Sequence, residues 1–496
     1  MALTKDSWHE ERLYIGGKLV EAEGGKTYEN INPANEEVIG VSADASKADM
    51  EAAIAAARTA FDETDWSTNH AFRAKCLRQL HKAFIDHKDE IADITVAEVG
   101  APRMLMDGPQ LGEPLKFIPF YADLAENYQW ITELGVADTM AGPSNRWVEH
   151  VPAGVVGAIT PWNYPNQINI AKVAPALAAG CTVILKPAPD TPWTGLALGR
   201  LAAEHTDIPP GVLNVITSSD KAIGEVLTLS PDVDVISFTG STAVGRRIME
   251  AGSATIKRIF LELGGKSAQI VLDDVEDMAM ASIAAAFGVC THGGQGCATS
   301  TRLLLPRSRY EEGVEAAASL IGAVAYGDPE EPGNMTAAIV NRPQLERMNK
   351  LVQDAVAAGA RVVCGGGIAT QFEKGFYFQP TLLADVTNDM EIAQTEILGP
   401  VLVAIAYEDD DDAVRIANDS IYGLSGGVSS ADHDRALRVA RRIRTGTMSV
   451  NGGLWYGVDS PFGGFKQSGL GREMGVAGFE EYLERRTMAE PSPLPG

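Results

Sequence analysis

Val235-Ile236-Ser237-Phe238-Thr239-Gly240-Ser241-Thr242-Ala243-Val244-Gly245 reads as a short apolar strand, a glycine turn and the opening of a helix. The same pattern recurs on either side of it. Strands are predicted over 155–160, 182–186, 212–216, 235–239 and 258–263, and helices over 168–179, 194–204, 220–229 and 242–251. Strands that alternate with helices in this way build a parallel, doubly wound sheet. Such sheets bind ligands at the carboxyl ends of their strands. Trp162-Asn163-Tyr164-Pro165, Lys186-Pro187-Ala188-Pro189 and Gly240-Ser241-Thr242 all fall there.

Upstream, residues 49–99 carry helical periodicity, and a helix is predicted over 113–134. Residues 147–151 alternate like a strand and end at Pro152-Ala153-Gly154. Downstream, a second α/β region starts near Lys266, with strands predicted over 268–272, 302–305, 361–364, 401–406 and 447–450. The run Glu408-Asp409-Asp410-Asp411-Asp412 suits a helix start, where negative charge is favoured. It lacks the glycine and spaced acceptors of a calcium loop.

A chain of 496 residues is too long for one hydrophobic core, so two or three domains are expected. A formal net charge of −25 disfavours nucleic acid and anionic membranes as partners. No run is long and apolar enough to span a bilayer, and residues 1–11 carry no apolar signal core, so a cytoplasmic protein is expected. The five cysteines, Cys76, Cys181, Cys290, Cys297 and Cys364, are scattered, as in a reducing compartment. Cys290, Cys297 and the nearby His292 find no further cluster to complete a metal site, so no metal is expected.

Chemistry concentrates in two segments. Gly293-Gly294-Gln295-Gly296-Cys297-Ala298 sets a thiol among glycines, where substrate and backbone N–H groups can approach it. Leu261-Glu262-Leu263-Gly264-Gly265-Lys266 ends an apolar strand on a carboxylate. Together they suggest acyl transfer through a thioester-like intermediate, with Glu262 activating water. Alone, either is unremarkable: a single cysteine is more often a small buried hydrophobe. Asn163, between two prolines, carries an amide suited to stabilising an oxyanion. Gly240 and Ser241 open a helix whose N–H groups suit a diphosphate. Lys186 places an ammonium where it can meet ribose or phosphate, and Glu396, in Glu396-Ile397-Leu398-Gly399-Pro400-Val401, is suited to a second ribose.

Taken in order, the segments 160–165, 186–187, 238–242, 261–266, 294–297, 396–401, 451–452 and 461–464 resemble the aldehyde dehydrogenase superfamily, the NAD(P)-dependent, non-acylating enzymes. The ordered set carries the resemblance across almost the whole chain. It implies Cys297 as nucleophile, Glu262 as deacylating base, and Asn163 with the Cys297 N–H as oxyanion hole. Lys172 would position the base, and Glu473 would relay protons. For the cofactor it implies Thr160, Trp162, Lys186, Pro189, Gly240, Ser241, Gly245, Leu263, Glu396 and Leu398. For the substrate tunnel it implies Tyr164, Gln167, Ile168, Trp455 and Tyr456, which suit an apolar aliphatic or aromatic aldehyde.

The family fold implies a cofactor domain (1–132 and 153–264), a catalytic domain (265–465), and an arm with a C-terminal segment (133–152 and 466–496) that forms homodimers or homotetramers. Two positions depart from the common pattern. Pro189 stands where many NAD-preferring members carry a ribose-binding glutamate, which leaves NADP open beside NAD. Leu398 stands where an aromatic residue usually packs on the nicotinamide. Two other readings are a coenzyme-A-acylating relative and an inactive dinucleotide-binding structural protein. Glu262 argues against the first, and the set of Cys297, Glu262 and Asn163 against the second.

Overall fold

The computed structural model describes residues 10–492. Strand Val235–Thr239 lies near the middle of an eight-stranded sheet. From one edge to the other, that sheet runs Gly469–Leu470, Arg258–Glu262, Val235–Thr239, Val155–Ile159, Thr182–Lys186, Leu213–Val215, Arg12–Ile15 and Lys18–Glu21. The five strands from Arg258–Glu262 to Leu213–Val215 are mutually parallel. The outer strands pair antiparallel.

After Val155–Ile159 the chain steps outward through two strands, then returns to the other side of its starting strand. That reversal is the switch point at which open α/β sheets form a ligand crevice. Trp162 and Gly240 follow the two strands that flank it.

Helix Pro165–Ala179 leaves this crevice and is buried at every position except Gln167. A helix buried on nearly every side lies inside a domain rather than on its surface. Its start has a proline in the first turn and its end a left-handed glycine, Gly180 at φ 97°. The helix therefore carries Lys172 into the interior with no exposure.

The second sheet runs Arg361–Cys364, Thr381–Ala384, Val401–Tyr407, Ser300–Pro306, Ser267–Val271, Gly426–Ser429 and Ser449–Val450. All its pairings are parallel except the first. Arm strands Ile131–Thr139 and Gly142–Pro152 form a three-stranded antiparallel sheet with Leu483–Pro491. No helix among the described residues is long and apolar enough to cross a membrane.

One expected element is corrected. The helix over 113–134 is two helices, Gly112–Leu115 and Phe117–Asn127, and the chain is a strand from Ile131. Tyr128 turns extended at ψ 144°, and the following side chains sit on a largely exposed two-faced ribbon rather than a core-facing helix stripe. The helical stretch 49–99 resolves into Lys47–Glu63, His70–Asp86 and Lys88–Val99. The acidic run does start a helix, Asp410–Asn418, where the Asp409 side chain accepts from the Asp412 N–H at 2.9 Å. The expected segments 1–9 and 493–496 lie outside the described residues.

Candidate active site

A cavity of about 520 Å³ opens at the switch point. Trp162, Asn163, Gly240, Ser241, Leu263, Cys297, Glu396 and Leu398 all line it, joined by Arg246, Gln344, Arg347 and Tyr422. Residues from both sheets thus meet around one space.

Glycine makes the approach possible. A Cβ on Gly240 would stand 2.4 Å from the Phe238 ring, and one on Gly245 would stand 2.7 Å from Leu263. Ser241 caps helix Thr242–Gly252, its hydroxyl accepting from Val244 N–H at 3.4 Å. On the facing wall, a Cβ on Gly264 would meet Glu396 Oε2 at 2.5 Å, and one on Gly265 would meet the Cys297 carbonyl at 2.4 Å. The glycine pair therefore lets the nucleophile loop and the Glu396 loop close on the end of strand Arg258–Glu262.

Glu396 accepts from Gly265 N–H at 3.0 Å, and burial pushes its carboxyl up to about 7. Helix Arg342–Ala357 pins its loop. Arg347 donates to the carbonyls of Glu396 and Ile397 at 3.1 and 2.8 Å, and Gln344 to that of Leu398 at 3.1 Å. Leu398 holds a left-handed φ of 52°, a conformation non-glycine residues seldom adopt.

Asn163 is nearly fully buried and held on two sides. Its amide Nδ2 donates to the Gln295 carbonyl at 2.7 Å, and its own carbonyl accepts from Gln110 Nε2 at 3.0 Å. An amide has two N–H donors, so one remains for a ligand. Gln295 is itself fixed: its amide donates to Ala338 O at 3.2 Å and accepts from Val340 N–H at 3.1 Å. Burial pushes the Cys297 thiol up to about 12, helped by the charges of Glu396, Glu262 and Glu473.

Glu262 does not line the cavity. Its carboxylate lies behind the wall, where a Cβ on Gly463 would stand 2.7 Å from Oε1. Both oxygens are buried and have no hydrogen-bond partner among the described residues. Burial first, and the charge of Glu473 second, raise its carboxyl well above the usual range, against the pull of Lys172 and Arg472. Nearby, Lys172 Nζ pairs with Glu473 Oε1 at 3.0 Å and donates to Ser237 Oγ at 3.1 Å. Ser237 Oγ in turn lies 3.0 Å from the Tyr482 hydroxyl.

Other expected site residues are placed as follows. Thr160 Oγ1 donates to Asn169 Oδ1 at 2.7 Å. Lys186 is buried at the end of its strand, with Nζ donating to the Pro187 carbonyl at 3.2 Å; burial pushes its ammonium down to about 8. Pro189 and Gln167 are half-buried, and Ile168 is buried. Tyr164 stands 3.7 Å from where a Cβ on Gly296 would be, beside the nucleophile. Trp455 stacks on Phe462 at 5.5 Å and touches Tyr456, which leans on Phe117. Sequence reading missed Gln110, Gln295, Gln344 and Arg347. Their partners lie dozens to hundreds of residues away, so no local pattern marks them.

A two-sheet α/β chain whose switch-point cavity holds a thiol, a side-chain amide and a glycine-opened helix start defines a class of dinucleotide-cleft enzyme. The profile of the aldehyde dehydrogenase family matches residues 19–488. The 3-succinoylsemialdehyde-pyridine dehydrogenase of a Pseudomonas species is 40% identical over 478 residues, spanning 95% of this chain and 97% of that protein. Among solved structures, a Mycobacterium tuberculosis aldehyde dehydrogenase complexed with NAD+ aligns at TM-score 0.92 with 39% identity, covering 97% of this chain and 98% of that one. Aldehyde dehydrogenase C of Pseudomonas syringae, a cysteine-to-alanine mutant with NAD+ and octanal, aligns at 0.91 with 37% identity, covering 98% of each chain. The chain belongs to the aldehyde dehydrogenase family.

Proposed function

We propose that the protein oxidises an aldehyde to its carboxylic acid with NAD+, Pro189 leaving room for NADP+. The observation that carries this reading is the convergence of Cys297 and Asn163 with Gly240, Ser241 and Glu396 on one cavity. The donor set fits a dinucleotide. The helix start at Ser241 suits the diphosphate, Lys186 the adenine-side ribose, and Glu396 the other ribose. Trp162, Leu263 and Leu398 complete the walls, with Thr160 outside them just past strand Val155–Ile159 and Gly245 in the first turn of helix Thr242–Gly252. When bound, NAD+ supplies the two-electron acceptor for the hydrogen on the aldehyde carbon.

The chain's own residues then do the following. Cys297 gives its thiol proton to water in the cavity and its sulfur adds to the aldehyde carbon, so that the carbonyl electrons move to oxygen. The free N–H of Asn163 and the backbone N–H of Cys297 hold that oxyanion. Once the carbon is oxidised, Cys297 carries a thioester. Glu262 takes a proton from water, the water oxygen adds to the thioester carbon, and the carbon–sulfur bond breaks to return the thiolate and release the acid. Lys172 sets the charge around Glu262, and Glu473 receives its proton.

Tyr164, Gln167, Ile168, Trp455 and Tyr456 line the aldehyde's path in this reading. Their aromatic and aliphatic surfaces suit a medium-chain or aromatic aldehyde. The octanal bound by the Pseudomonas syringae relative and the pyridine substrate in the name of the Pseudomonas enzyme are of that kind. The division at residues 133, 153, 265 and 466, the exposed arm as a contact between subunits, and a cytoplasmic location consistent with five free cysteines belong to the same reading.

The test is a panel of aldehydes with NAD+ and NADP+, with and without coenzyme A, read by reduced-nicotinamide absorbance and product analysis. Octanal and benzaldehyde should give free acids, and Cys297→Ala should lose at least about 10⁴-fold in turnover. Acyl-coenzyme A as product, or turnover surviving in the alanine variant, would overturn the reading.

A further inference from the structure

His292, Gly293 and Gly294 are three successive left-handed residues, at φ 52°, 62° and 64°. The glycines take this shape freely, and position 294 has room for glycine alone, since a Cβ there would stand 2.2 Å from the Gly399 carbonyl. His292 takes it under strain, and strain of this kind gathers at functional sites. The side chain it places is fully buried. Nε2 lies 2.8 Å from the Asn163 carbonyl, and the ring stands edge-on to Tyr164, centroids 5.1 Å apart at 70°. Burial pushes the imidazole down to about 4, so the ring is neutral and Nε2 carries the proton it donates. Among the described residues Nδ1 has no partner, and the ring's one polar bond to them is the one to Asn163.

This bond crosses between the sheets. Asn163 belongs to the loop after strand Val155–Ile159 of the first sheet, and His292 to the loop that reaches Cys297 in the second. The Asn163 peptide is held by His292 and Gln110, while its amide is held by Gln295. Two of those three ties come from the nucleophile's own loop. The His292 main chain is anchored as well, its N–H donating to Met335 O at 3.0 Å and its carbonyl accepting from Gln295 Nε2 at 3.1 Å.

We propose that His292 is a positioning residue for the oxyanion hole: its imidazole locks the Asn163 peptide to the Cys297 loop, so that the free amide N–H meets the oxygen of the adduct. This rests on the reading of Asn163 as oxyanion donor. Space-filling alone would call for neither a left-handed backbone nor a polar link to a single carbonyl.

The test measures the burst rate of reduced-cofactor formation at saturating aldehyde, together with KM, cofactor Kd and melting temperature. His292→Phe keeps the ring and removes the donor, and His292→Gln keeps a donor of similar reach. The burst in His292→Phe should slow roughly tenfold with KM and Kd within about twofold, and His292→Gln should recover most of the loss. Combined with Asn163→Ala, His292→Phe should add little, because both act through one group. If His292→Phe does not fold, His292→Ala takes its place with the same expectation. A wild-type burst in the donorless variant, a fully multiplicative double variant, or a glutamine variant that regains melting temperature without regaining rate would overturn the proposal. A wild-type burst in Asn163→Ala would overturn the oxyanion reading and this proposal with it, whereas a slow Asn163→Ala beside an unaffected His292→Phe overturns the proposal alone.

Discussion

The two sides of strand Arg258–Glu262 are built on opposite principles. In front, Asn163 is tied by hydrogen bonds at its amide and its carbonyl, and the loops bearing Cys297 and Glu396 close on glycines with no room to shift. Behind, the Glu262 carboxylate is buried with both oxygens unpartnered among the described residues, facing an ion pair rather than bonded to it. An oxyanion donor works best preorganised, because a donor that must reorient gives back the stabilisation it supplies. A base that shuttles protons works best unbonded, since each hydrogen bond to its charged form would lower its pKa and weaken it. The same strand end thus presents a rigid face and a free one.

The strongest way to break that contrast is to remove the base and leave the rigid face intact. Glu262→Gln should release one burst of reduced cofactor and then stall, with steady turnover falling about 10²–10⁴-fold. Rapid-mixing absorbance checks it. Loss of the burst together with the turnover would mean that Glu262 serves the front as much as the back.

A smaller effect comes from the ion pair behind it. Lys172 and Glu473 are both buried, and removing one partner strands the other's charge. Lys172→Met should destabilise the fold by about 3–5 kcal/mol, whereas the double variant Lys172→Met/Glu473→Gln, with neither charge left, should melt close to wild type. Thermal melting distinguishes the two. If the single variant melts like wild type, the pair is not paying a burial penalty and the rear chamber is wetter than its geometry implies.

How much of this was legible in the sequence follows the same division. The strand ends at Thr160, Lys186, Thr239 and Glu262 could be read because apolar runs ending at glycine or proline are local signals. Cys297, Asn163 and Glu396 could be placed near them by the ordered motifs, and they do share a cavity. The ties that hold the front rigid could not be read. His292 to Asn163 and Arg347 to Glu396 join segments far apart in the chain. Lys186 ends its strand at the ligand edge as expected, and its burial there is set by packing that no local pattern records. Strand Gly426–Ser429 escaped notice because glycine has little strand propensity; its place between Ser267–Val271 and Ser449–Val450 is set by its neighbours. The expected helix over 113–134 overruns the first residues of the ribbon Ile131–Thr139, because an exposed arm has no core face to set a period.

The smallest effect tests whether the two sides communicate. The Cys297 thiol is pushed up to about 12, first by burial and then by the carboxylates of Glu396, Glu262 and Glu473. The thiolate is the reactive form, so cofactor-free protein at neutral pH presents mostly thiol. Inactivation by iodoacetamide, with modification mapped to Cys297, should therefore speed up roughly tenfold per pH unit from about 7 to 10 without levelling. A plateau near pH 8 would show that the thiol is not raised. Glu262→Gln removes one of the negative charges that disfavour the thiolate, so at any given pH within that range the variant should be alkylated faster, by a few-fold at most because burial acts first. Equal rates in the two proteins would mean that the strand end insulates the thiol from the carboxylate behind it, and the free face would then act only through water.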